Sequence, residues 1–76
     1  MSDSDLLRAA IDAAGLSARR FSVEVLDVDE RTVRRWIAGD RELHATVRVL
    51  CAAIVDDPPL AARLAATLSE LRSRAA

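Results

Sequence analysis

Residues 29–39, Asp-Glu-Arg-Thr-Val-Arg-Arg-Trp-Ile-Ala-Gly, carry helix punctuation at both ends. Asp29 is a good N-cap, because its carboxylate can accept a hydrogen bond from a free first-turn amide. Gly39 is a good stop, because glycine takes the left-handed backbone on which many helices end. Between them Val33, Trp36 and Ile37 are spaced by three and four and share one face, while Arg31, Thr32, Arg34 and Arg35 occupy the rest of the surface. A helix this short, with one apolar stripe and a dense arginine surface, is small for a structural element. It suits a helix lying in the DNA major groove. Read on its own, it suits a solvated surface helix equally well.

The surrounding chain offers only helices to cover that stripe. Half of its residues are hydrophobic (51%), which excludes a disordered chain. With one Trp, one Phe and no Tyr, the core must be aliphatic. Ala, Leu and Arg dominate, all strong helix formers, and no alternating run bounded by turn residues argues for a strand. At 76 residues the expectation is one all-α domain over 1–76, a compact bundle of about five short helices.

Helix 1 is expected from about Asp5 to Ala14, capped by Ser4 or Ser2 and ended by Gly15. Leu6, Leu7, Ala10, Ile11 and Ala14 form its stripe, and Arg8 and Asp12, four apart, are expected to pair on its outer face. Ser17 caps helix 2, which runs through Leu26 with Leu16 as its hydrophobic staple and Phe21, Val25 and Leu26 inward. Arg19 and Arg20 lie in its first turn, against the helix dipole. Such a conflict suits a phosphate contact, or else plain solubilising surface. Asp27 tolerates a left-handed backbone at the turn, and Val28 reads as an apolar plug before Asp29. Two short helices with a tight turn between them, over residues 17–39, have the layout of a helix-turn-helix.

Helix 4 is expected from about Ala45 to Val55 or Asp56, apolar most of the way round, with Arg48 its only clearly polar residue. Pro58 and Pro59 break the chain and start helix 5, from about Leu60 to Arg72, with Leu60, Leu64, Leu68 and Leu71 on one face. A helix so apolar wants cover on two sides. Residues 45–72 are therefore expected to serve core and dimerisation, with Val49, Ala53, Leu64, Leu68 and Leu71 as the candidate seam. The alternative is that helix 5 consumes its stripe within one chain.

Leu16-Ser17-x-Arg19-Arg20-Phe21-Ser22, followed by Val28-Asp29-Glu30-Arg31-Thr32-Val33-Arg34-Arg35-Trp36-x-x-Gly39, resembles the helix-turn-helix of the Cro and phage-repressor family, whose pattern is of the form LSQxxFAxxLGVSxxTVxRWExG. The likeness covers about residues 5–57 and is most specific from Thr32 to Gly39. Three positions depart: Ala18 replaces the family's Gln, Asp27 replaces its turn Gly, and the span from Phe21 to Asp29 is one residue longer. The resemblance implies base reading by Glu30, Arg31, Arg34 and Arg35. It implies a backbone contact for Arg41, in the loop after Gly39; Thr32 could reach a phosphate or a thymine methyl, and Arg19 and Arg20 are expected on phosphate from the start of helix 2. Arg can take N7 and O6 of guanine, and Glu can accept from cytosine N4. Trp36 is expected in the core.

All eleven basic residues are Arg, which suits bidentate recognition of phosphate and guanine, although the formal net charge of −1 does not advertise nucleic-acid binding. Nothing argues for an enzyme: there is no Gly-rich phosphate loop, no carboxylate pair suited to a cleft and no Cys–His arrangement. His44 has no second ligand at metal spacing, so no metal or cofactor is expected, and no small-molecule ligand is evident. Cys51 is alone and reads as a small buried hydrophobe. No apolar run approaches the ~20 residues of a membrane span. The acidic N-terminal segment does not read as a signal peptide, which leads to the expectation of a cytoplasmic protein. The expected function is a DNA-binding transcriptional regulator, a repressor or autorepressor that binds double-stranded DNA as a homodimer and serves a phage or mobile element. The alternative is a helical protein-interaction module such as an antitoxin.

Overall fold

The computed structural model describes residues 1–75. The chain is helical almost throughout: α1 (Asp3–Ala14), α2 (Ala18–Arg20) running directly into a π-helical stretch (Phe21–Leu26), α3 (Glu30–Ala38), α4 (Ala45–Asp56) and α5 (Pro59–Ala75). It is an all-α bundle, with no strand among the described residues. None of its helices is long and apolar enough to cross a membrane.

The punctuation sits where the side-chain chemistry demands it. Ser2 caps α1 by accepting from the Asp5 amide at 3.1 Å, Ser17 caps α2 by accepting from the Arg20 amide at 3.1 Å, and Asp29 accepts from the Arg31 amide at 3.4 Å. Gly39 ends α3 at φ 82°, a backbone on which a side chain would be strained. Asp27 takes the same left-handed region, at φ 56°, and turns the chain from the π stretch toward α3.

Between Phe21 and Leu26 the backbone takes the wider π-helical turn. Such a turn is bonded five residues apart. Here the Asp27 amide reaches back five residues to the Ser22 carbonyl, and the Val28 amide reaches six to the same oxygen. Phe21, Ser22 and Val25 nonetheless stay buried. Buried Ser22 is satisfied by donating its hydroxyl to the Ala18 carbonyl at 2.6 Å.

The core gathers Leu7 and Ala10 of α1, Phe21 and Val25 of the π stretch, Val33 and Trp36 of α3, Leu43 of the loop that follows it, Cys51 and Ile54 of α4, and Ala61 of α5. α1 packs chiefly on α4 and then on α3, and α5 folds back onto the π stretch. Burial pushes the Cys51 thiol up to about 11.

The first turn of α1 ties this frame together through polar contacts. Asp3 accepts from Arg48 Nε and Nη2 at 3.0 and 2.9 Å and from the Leu43 amide at 2.9 Å. Ser4 donates to the Ile37 carbonyl at the end of α3. Arg8 also reaches that carbonyl, at 3.4 Å, and does not form the expected pair with Asp12. A C-terminal carbonyl of a neighbouring helix carries partial negative charge and competes well with an exposed carboxylate.

Candidate nucleic-acid interface

A helix presents to solvent whatever lies opposite its buried stripe. In α3 the stripe is Val33 and Trp36, with half-buried Ile37 beside them. The 3.6-residue period puts Arg31 and Arg35, one turn apart, opposite that stripe, and both are exposed. Thr32 is half-buried on one flank, and Glu30 and Arg34 share the other. The helix is held from both ends: Asp29 and the left-handed Asp27 set its entry, while Gly39, Ser4 and Arg8 fix its exit. Trp36 anchors the middle. It is only 2% exposed and stands edge-on to His44, ring centroids 5.8 Å apart.

Ion pairing divides the expected arginines into two groups. Arg20 grips Glu24 with Nε at 2.8 Å and Nη2 at 3.2 Å, one turn along the same helix, and this holds the Glu24 carboxyl below its ordinary range. Arg34 Nη2 takes Glu30 at 2.9 Å. Arg19, Arg31, Arg35 and Arg41 have no carboxylate within ion-pair distance among the described residues, and all four are exposed. Among the expected site arginines, those without an ion pair are therefore one in the first turn of α2, two on α3 and one in the loop after Gly39.

Two further polar groups bear on the site, and neither is evident from helical periodicity. The Asp3–Arg48 bridge fixes the loop after α3 to α1; Arg48, a lone cation within the largely apolar body of α4, was its only local signal. Arg72, on α5, reaches Asp27 at the corner between the π stretch and α3, at 2.6 Å. Of the candidate dimer residues, Val49 is 67% and Leu71 55% exposed, whereas Ala53, Leu64 and Leu68 are half-buried, Leu64 against the core of its own chain. Ala45 and Ala52 lie beside Val49 on the outer face of α4, also exposed.

Comparison of the chain with protein-family models, with curated proteins and with solved structures finds no match.

Proposed function

We propose that this chain is a sequence-specific DNA-binding transcriptional regulator that enters the major groove with α3. The observation that carries the reading is the solvent face of α3, where Arg31 and Arg35 stand exposed without acidic partners on a short helix anchored at both ends. In this reading they take the N7 and O6 acceptors of guanine. Arg19 and Arg41, flanking them in sequence, take phosphates and set the register. Arg20 joins by exchanging Glu24 for a phosphate, a small step because an exposed ion pair is worth only ~0–1 kcal/mol. Glu30, engaged by Arg34, reads cytosine only when that pair opens.

One such helix covers few base pairs, so the regulator acts as a homodimer on a near-palindrome, its two α3 helices one DNA turn, roughly 34 Å, apart. The exposed outer face of α4 around Val49 supports the seam better than α5, whose Leu64 is engaged within its own chain. Occupying an operator in the cytoplasm would repress by excluding other proteins from the same DNA.

The test is selection from a randomised duplex library, followed by affinity against salt. Three phosphate contacts per subunit, six per dimer, give a log–log slope of roughly −5. An enriched sequence with a steep slope supports the reading; no enrichment and a flat response reject it. The competing reading, a helical module such as an antitoxin that binds a partner protein, draws support from Glu24 and Glu30, which already neutralise two of the arginines. It gains if no duplex is enriched.

A further inference from the structure

The end of the π stretch leaves an acceptor without a donor. The last carbonyls of a helix normally find amides beyond its end or are met by side chains. Here the amides of Asp27 and Val28 both go to the Ser22 carbonyl, so the next carbonyl, that of Val23, receives no backbone amide. The donor comes from the far end of the chain. Arg72 Nη2 donates to the Val23 carbonyl at 2.8 Å and to Asp27 Oδ1 at 2.6 Å.

One guanidinium thus holds both sides of the corner that turns the chain toward α3. It also gives a role to the carboxylate at a position where glycine would take the left-handed backbone at less conformational expense. α5 packs on the π stretch more extensively than on any other element, so Arg72 is carried by a well-seated helix. Arg72 and Asp27 are 46% and 63% exposed in their side chains, and an ion pair so exposed adds little to global stability. Its effect is local: it selects one orientation of the corner from those a widened turn allows.

We propose that Arg72 is a positioning residue for DNA recognition, fixing through Val23 and Asp27 the angle at which α3 is presented. The proposal rests on the DNA-binding reading above. It distinguishes Arg72 from Arg19 and Arg41, which would act by touching phosphate directly.

The test uses the full chain with Arg72→Ala, Asp27→Asn and the double variant. Two quantities are read: amide hydrogen exchange at Val28 without DNA, and the ratio of affinities for the selected duplex and a scrambled duplex at one salt concentration. Each single variant is expected to speed Val28 exchange. Each is also expected to lower the affinity ratio by roughly three- to tenfold, the range for one lost hydrogen-bonded contact. Affinity for the scrambled duplex should stay within about twofold, and the double variant should be no worse than either single one. Equal loss on both duplexes would make Arg72 a plain phosphate contact and overturn the proposal, as would an unchanged ratio or additive effects. If the unmodified protein prefers no duplex, the DNA reading itself falls. The exchange rates then still tell whether the corner is held by Arg72.

Discussion

Removing the Trp36 side chain should cost this domain a large share of its stability, at least about a quarter. Trp36 heads the fully buried side chains by volume, is 2% exposed, and packs in one cluster with Phe21, Leu7, Ile54 and Val33. Replacing a buried Trp by Ala costs ~3–5 kcal/mol, the transfer term plus the cavity left behind. Stability of roughly 0.05–0.15 kcal/mol per residue gives a chain of 76 residues about 4–11 kcal/mol in total. Trp36→Ala thus removes between about a quarter and all of it. With a urea dependence of about 1 kcal/mol per molar for so small a domain, the midpoint should fall by about 3–5 M. Far-ultraviolet circular dichroism against urea measures this. In the unmodified protein, Trp36 is the only tryptophan, so its fluorescence should be blue-shifted and poorly quenched by acrylamide. A variant whose midpoint stays within about 1 M while DNA binding vanishes would place Trp36 at the interface and refute its assignment to the core.

The Asp3 carboxyl lies at about 2 against an ordinary 3.8, held down chiefly by its hydrogen bonds from Arg48 and then by the Leu43 amide. A depressed carboxyl contributes its full stabilisation above its unfolded value and loses it on acidification. Thermal midpoints should therefore fall between pH 4 and pH 2, and Asp3→Asn should flatten that limb; an identical limb in the variant would reject the assignment. Arg31→Ala and Arg35→Ala should each cost ~1–3 kcal/mol on the selected duplex and relax preference at one base pair, whereas Arg20→Ala should weaken all sequences alike. Repeating the selection with each variant checks this, and an unchanged preference would remove α3 from base reading. Val49→Glu should convert a dimer to a monomer with unchanged helix content, read by sedimentation at micromolar concentration; a monomeric unmodified protein would reject the α4 seam.

The legible features were those decided within one helical turn. Ser17, Asp29 and Gly39 each act on amides or carbonyls two to four residues away, so residue type and spacing were enough to place them. The buried faces of α1 and α3 followed from period alone. Residues such as Arg8, Arg48 and Arg72 were not legible in the same way. Periodicity says only that they lie toward the surface, while their partners, Ile37, Asp3 and Asp27, stand 29, 45 and 45 residues away. The π stretch was not legible: the span from Phe21 to Asp29 is one residue longer than in the family pattern it resembles, but residue type and spacing do not tell how the backbone runs there. Within the candidate interface, a spacing of four was a local signal for Arg20–Glu24 and Glu30–Arg34, which engage two of the six arginines, but the same spacing between Arg8 and Asp12 gave no pair.

Cys51 gives the molecule a clock of its own. The thiol is fully shielded between α1 and its neighbours, and burial holds its proton to about pH 11. A thiol-specific reagent at neutral pH therefore reacts only with molecules that have opened far enough to bare α4. With one cysteine in the chain, each reaction is a single colour change with no second site to disentangle. When reclosing is fast, the labelling rate divided by that of a free thiol is the fraction of time the bundle spends open. Slowing of that rate by an added duplex would measure, without any introduced probe, how tightly the folded form is held by what it binds.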